Sequence, residues 1–152
     1  MRPESDGSAL EERAYLERRA RVARGVEPAT AHAALVSCAG GAELPWLAPL
    51  WHLRSRAAGM SRGVSVWRPA GSDPPRTLAY RAPLPGLGEA ELSYSFEPHS
   101  EGTRVTQRCV FRPDGLRGRL YWHAVRPAHG LVFGAMLRGA VRLAEARARA
   151  AG

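Results

Sequence analysis

Residues 115–149 read GLRGRLYWHAVRPAHGLVFGAMLRGAVRLAEARAR, the longest segment of helical character in the chain and the richest in large apolar groups. Leu116, Leu120, Ala124, Leu131 and Ala135 fall roughly on one face at the 3.6-residue spacing of an α-helix. Tyr121, Trp122, Val132, Phe133, Met136 and Leu137 spill round its sides, a width that implies burial against more than one surface. Pro127 removes a backbone donor and is expected to bend the helix near Val125 and Arg126. Bent in this way, one helix can follow a curved sheet.

The sheet is announced by the segments before it. Residues 89–97 alternate, with Ala90, Leu92, Tyr94 and Phe96 set against Glu89, Glu91, Ser93, Ser95 and Glu97. After the hairpin loop Pro98-His-Ser-Glu-Gly102, Val105, Gln107, Cys109 and Phe111 oppose Arg104, Thr106, Arg108 and Arg112. One wet and one dry face describe an antiparallel sheet packed on one side, with cross-strand Glu–Arg pairs expected outside. Arg76–Ala82 is a further strand with Leu78, Tyr80 and Ala82 on one side; Gly63–Arg68 is another, ended by the turn cluster from Pro69 to Pro75.

Upstream, Ser8 and Glu11 form a capping box for a helix from Leu10 to about Arg18. Residues 19–26 form a first strand, with Ala20, Val22 and Val26 on one side. Pro28 opens a short helix over Ala31–Ala39 closed by Gly40-Gly41, and a second short helix runs from about Trp46 to Ala58 with Trp46, Leu50, Trp51 and Leu53 on its heavy face. The organisation expected is an N-terminal extension over 1–18, a short helix or disordered, and one α+β domain over 19–152.

Composition narrows the classes. A chain of 152 residues with 45% apolar and 24% charged content is one ordinary globular domain. The formal charge of +8 invites an acidic partner. Yet the chain contains no Lys, Ile or Asn, and its arginines are scattered. A GC-rich coding sequence explains that pattern equally well, so no nucleic acid is expected. Nothing resembles a signal peptide, no run of about 18 apolar residues exists to span a membrane, and the setting expected is a reducing cytoplasm. Cys38 and Cys109 have no metal or redox spacing, and the five histidines include no helical i, i+4 pair. No metal or cofactor is expected.

The order strand, short helices, antiparallel strands, long helix resembles the helix-grip fold of the START-like or SRPBCC superfamily, which includes the Bet v 1-like proteins. The closer resemblance is to a bacterial domain-of-unknown-function family within it, often placed behind a NAD(P)-binding, short-chain-dehydrogenase-like domain. The residues that carry it are Val26-Glu-Pro-Ala, Gly40-Gly41 with Trp46 and Leu50-Trp-His-Leu-Arg54, Val66-Trp-Arg68, and Thr106-Gln107 with Phe111-Arg-Pro113. Gly115-Leu-Arg-Gly-Arg-Leu-Tyr-Trp122 and Pro127, His129, Phe133, Gly134 and Met136 complete it, over roughly residues 20–143. A Rossmann half is missing, since Gly86-Leu-Gly88 lacks the third glycine and a following helix. The resemblance therefore implies a separate NAD(P)-binding partner protein rather than nicotinamide chemistry here, and it transfers no catalytic residue.

A helix gripping a sheet leaves room for a small hydrophobic molecule fixed by a few polar groups. The ligand-binding candidates are Trp51, Arg54, Trp67, Tyr80, Tyr94, Gln107, Tyr121, His129 and Phe133. Each has a plainer reading. Gln107 can pair with a tyrosine or the backbone, His129 can cap the carbonyl freed by Pro127, Arg54 can pair with Glu43, and the tryptophans can simply fill core. Cys109 and His129 can be drawn as a thiol–imidazole pair, but the sequence shows no third, orienting group. The main expectation is non-catalytic binding of a small hydrophobic ligand, accessory to an NAD(P)-dependent oxidoreductase. The alternatives are an interaction or homodimer module built on Trp122, Val132 and Met136, and a cyclase- or aromatase-like enzyme on a polyketide- or steroid-like ring.

Overall fold

A computed structural model describes residues 14–41, 49 and 67–152. Strand β1 (Tyr15–Arg24) is followed by helix α1 (Pro28–Ser37) and a 3-10 turn over Ala39–Gly41. Strands β2 (Arg68–Asp73), β3 (Thr77–Leu84), β4 (Gly88–His99) and β5 (Gly102–Pro113) lead into helix α2 (Gly115–Ala151). The strands form one antiparallel sheet in the order β1-β5-β4-β3-β2. The first strand thus closes against the last, and α2 packs on β1, β5 and α1. This is the helix-grip arrangement.

The alternation in β4 and β5 translates directly into burial. Ala90, Leu92, Tyr94, Phe96, Val105, Gln107, Cys109 and Phe111 are all buried. Leu78, Tyr80 and Ala82 join them from β3. The opposite face is not uniformly wet, because Thr106 and Val110 are buried as well. The expected cross-strand charge pair exists: Glu91 lies 3.6 Å from Arg81 and 3.8 Å from Arg112. Exposed arginines make such pairs worth little.

Three expectations need correction. First, residues 15–18 are strand, not helix, and β1 runs Tyr15–Arg24 rather than 19–26. Its register pairs Tyr15 with Phe111, Glu17 with Cys109, Arg19 with Gln107 and Ala23 with Thr103. Cross-strand partners share a face, so Glu17 and Arg19 turn toward the helix while Ala20 and Val22 turn away. Helix propensity and apolar alternation both lost to the pairing with β5, whose register runs the full ten residues of β1. Second, Arg68–Asp73 is a strand despite Pro69; it lies exposed at the sheet edge, bulged between Pro69 and Gly71, where proline is tolerated.

Third, α2 buries a different face from the one expected. Leu116, Leu120 and Leu131 are 71%, 61% and 74% exposed. The buried stripe is Gly118, Trp122, Phe133, Met136, Leu137, Ala140, Val141 and Ala144. Trp122 and Met136, expected on a partner-binding flank, are core instead. Small residues in this stripe let backbones come close: a Cβ on Gly118 would sit 2.1 Å from the Leu87 carbonyl oxygen. Pro127 lies inside the helix, which runs unbroken past it. The expected helix over Trp46–Ala58, the capping box at Ser8, and the candidates Trp51 and Arg54 lie outside the described residues.

Candidate functional site

The helix-facing side of β1 and β5 carries a polar seam in an otherwise apolar core. Glu17, Arg19, Gln107 and Cys109 are two pairs of cross-strand neighbours, with Tyr94 beside Gln107 on β4. His129 descends on them from α2. Its ring stacks on Phe133 at 4.1 Å and meets the edge of Trp122 at 4.9 Å. Those rings hold the imidazole in place, so its two nitrogens have defined partners. Nδ1 donates to Glu17 Oε2 at 2.8 Å, which leaves Nε2 facing Cys109 Sγ at 3.8 Å.

Glu17 is itself held. Arg19 Nη2 donates to Glu17 Oε2 at 2.6 Å, a charge-assisted bond between neighbours on the same face of β1. Burial pulls the Glu17 carboxyl upward, but the hydrogen bonds from Arg19 and His129, with their charges, outweigh it and the net direction is down. The carboxylate is therefore ionised when it orients His129. The guanidinium rests against the helix at Gly130, where a Cβ would lie 3.4 Å from Arg19 Nη2.

Gln107 is fully buried. Its Nε2 donates to Tyr94 Oη at 3.0 Å, and that hydroxyl donates in turn to the Gly40 carbonyl at 2.5 Å. Burial pushes the Tyr94 phenol well above its usual range, so it stays a neutral donor. Gly40, at φ +66°, is required here: a Cβ would lie 2.4 Å from the Tyr94 ring. The expected tyrosine partner of Gln107 thus comes from a strand and not from the helix. Even so, Gln107 Oε1 and Arg19 Nη1 are buried with no hydrogen-bond partner among the described residues. One is an acceptor and the other a donor, on directly paired positions.

Around the seam, rings fill much of the space between α2 and the sheet. Trp122 stacks with Tyr15 at 5.0 Å and Phe111 at 5.6 Å, Tyr121 lies 5.8 Å from Phe111, and Trp67 meets Phe133 at 6.1 Å. Tyr80, Tyr94, Trp67 and Phe133 are buried; Tyr121 and His129 are partly so. Among the described residues, open space lies between β1 and the second half of α2. There a recess of about 910 Å³ is lined by Arg19, Gly130, Gly134, Leu137, Arg138 and Val141 among others. Arg19 is the wall it shares with the seam.

Of the residues singled out from the sequence, Gln107 bonds Tyr94 and His129 stacks on Phe133; Tyr15 and Glu17, expected in a helix, and Arg19, expected in the first strand, were not among the candidates. The missing orienting group for Cys109 and His129 is Glu17. The sequence does carry one usable signal: Glu17, Arg19 and Arg21 alternate in a strand whose partner has Cys109, Gln107 and Val105 inward. Among the described residues, no group of three or more His, Cys, Asp or Glu is arranged to hold a metal, and no helix is long and apolar enough to cross a membrane.

Comparison with known proteins agrees with this architecture. The family described as "Protein of unknown function (DUF2867)" matches residues 10–136. No curated protein matches the chain. Among solved structures, the di-domain ARO/CYC StfQ from the steffimycin biosynthetic pathway superposes with a TM-score of 0.50 at 13% identity, over 93% of this chain and 53% of that one. The chain therefore spans about half of that di-domain protein. Ara h 8.0201 superposes with a TM-score of 0.50 at 13% identity, over 90% of this chain and 99% of that one. At such identities the likeness establishes the shared fold.

Proposed function

Because this chain belongs to the DUF2867 family and has the helix-grip fold, we propose its function from the site: it binds a small, largely apolar molecule with one oxygenated end, between α2 and the helix-facing side of the sheet. The observation that carries this is the orphaned pair, Gln107 Oε1 and Arg19 Nη1. A buried unsatisfied polar atom costs about 1–3 kcal/mol, more when charged. Two of opposite kind on paired positions are what a ligand hydroxyl, which both donates and accepts, would satisfy, while a ligand carbonyl would accept from Arg19 Nη1 alone. In this reading the molecule enters by the recess beside Arg19. Tyr94 and Gln107 fix its polar end, while Phe133, His129, Trp67, Tyr80 and Tyr121 shape the apolar surroundings.

Matched compounds test it. Bicyclic ketones and alcohols should raise the melting temperature, and hydrocarbons of the same skeleton should not. At a concentration a hundredfold above Kd the stabilisation is about 2.7 kcal/mol, or roughly 5–10 °C for a domain of this size. No shift with any oxygenated member would refute the reading. The resemblance extends the proposal to an accessory role beside a separate NAD(P)-dependent oxidoreductase. Turnover by that enzyme unchanged on addition of this protein would remove the accessory role.

One observation favours a second reading, an interaction module. Leu116, Leu120 and Leu131 stand exposed on the first half of α2. Light scattering that shows a monomer at high concentration would count against a homodimer.

A further inference from the structure

Cys109, His129 and Glu17 stand in the order nucleophile, base, orienter. The thiol is 2% exposed and faces His129 Nε2 at 3.8 Å; Glu17 Oε2 accepts from Nδ1 at 2.8 Å; Arg19 holds Glu17 at 2.6 Å. The carboxylate keeps the proton on Nδ1, so Nε2 is the nitrogen able to take the thiol proton. Two residues along the same face of β5, fully buried Gln107 presents its unpartnered Oε1, and the neighbouring Arg19 presents an unpartnered donor. A nucleophile beside two unmet polar atoms marks a place where a reactive molecule is held. The other cysteine provides the contrast. Cys38 is almost as buried, at 5%, but its thiol faces the Ala34 and Leu35 carbonyls at 3.4 and 3.7 Å, and neither can take a proton.

We infer that Cys109 is a covalent site for α,β-unsaturated carbonyl compounds, with His129 as its base, Glu17 as a positioning residue and Arg19 Nη1 as the donor to the carbonyl oxygen. The inference rests on the binding mode proposed above and names the ligand's chemical class. The thiol proton passes to His129 Nε2. The sulfur lone pair forms a C–S bond to the β-carbon, and the C=C π pair moves toward the carbonyl oxygen, where Arg19 stabilises the enolate. The imidazolium then returns the proton to the α-carbon. The sum is addition of S–H across C=C, with no oxidant, leaving group or water. A soft sulfur nucleophile beside Leu92, its register partner on β4, and facing an imidazole packed on Trp122 and Phe133 suits a soft carbon centre. Acyl transfer would further require a path for water and a departing group.

The test uses 2-cyclohexenone, with saturated cyclohexanone as the non-covalent control, on the folded full chain. Intact mass spectrometry should show one adduct heavier by the whole enone, and peptide mapping should place it on Cys109 at least about tenfold faster than on Cys38. General-base assistance typically contributes 10²–10⁴-fold, so His129→Asn and Glu17→Gln should each slow the addition by about tenfold or more, with near-ultraviolet circular dichroism unchanged. The rate in His129→Asn should climb about tenfold per pH unit, as for an unassisted thiol. Equal labelling of both cysteines, no labelling of either, or His129→Asn at the wild-type rate overturns the inference. So does turnover of phenyl acetate without an enone adduct, which would assign acyl transfer instead. The variant Cys109→Ser separates the two readings. If cyclohexanone still raises its melting temperature while wild type forms no enone adduct, binding stands and the covalent site falls. If no ketone raises the melting temperature of either protein, the binding proposal itself falls.

Discussion

Replacing Gln107 by leucine should make the protein more stable and less able to bind, an opposition expected of a polar group kept in a core for a ligand. The wild-type amide donates from Nε2 to Tyr94 Oη at 3.0 Å, and its Oε1, at zero exposure, has no partner among the described residues. Losing the bond costs about 0.5–1.5 kcal/mol, and removing the unmet acceptor returns about 1–3 kcal/mol. Leucine fills nearly the same volume with apolar atoms, which adds to the gain. The net expectation for Gln107→Leu is stabilisation by roughly 0.5–2 kcal/mol, a rise of about 2–6 °C in Tm for a domain of this size. Differential scanning calorimetry with and without a saturating alcohol reads both sides. The alcohol-induced shift should shrink by what one ligand hydrogen bond contributes, about 0.5–1.5 kcal/mol or a 3- to 10-fold weaker Kd. A lower Tm for the variant, with the alcohol shift intact, would mean that the amide is a satisfied structural group and that the orphan argument is mistaken.

Further expectations follow from other contacts. Gly40→Ala places a Cβ 2.4 Å from the Tyr94 ring at a positive φ; strain and overpacking together should cost about 2–4 kcal/mol by chemical denaturation, and a loss below 1 kcal/mol would show that the turn relaxes. Tyr94→Phe strands the Gln107 donor and the Gly40 carbonyl at once, so it should destabilise by roughly 1–3 kcal/mol, more than removal of an exposed hydroxyl. The triple change of Leu116, Leu120 and Leu131 to glutamine should move stability by no more than about 0.5 kcal/mol per site, whereas Leu137→Ala should cost about 2–5 kcal/mol; the reverse ranking would restore the other helix face as the core. Glu17 has a depressed folded pKa, so its contribution to stability is present above the ordinary carboxyl value of 4.5 and is lost as pH falls through the lower, folded value. Melting temperatures followed from pH 7 downward should show that acid-side loss in wild type and a smaller one in Glu17→Gln; parallel curves would show that the carboxylate contributes nothing.

How much of this was legible beforehand varies by element. The period of two in residues 88–113 reads directly as β4 and β5, because each inward residue is apolar or nearly so and one face is buried. The long helix reads as a helix for the same kind of reason, yet its orientation does not. Two stripes compete along it. One contains Leu116, Leu120 and Leu131; the other contains Gly118, Trp122, His129, Phe133, Met136, Ala140 and Ala144. Residue by residue the leucines look the more hydrophobic. The second stripe wins because its glycines and alanines let the helix come close enough for the aromatic residues to reach the sheet, an advantage visible only once there is a partner surface.

By itself, the sequence determined the class of fold: the strand alternation, the order of elements and the length of the final helix leave little besides a sheet gripped by a helix. It also singled out Gln107 as a polar residue on a dry face. Only the tertiary structure decided that the first strand begins at Tyr15 and pairs with the last, and that one register sets Glu17 beside Cys109. Only the packing of α2 brings His129 to both, across 112 and 20 residues of chain. Local periodicity reports which side of an element is apolar. It contains no information on strand register, and the seam between β1, β5 and α2 is made of register.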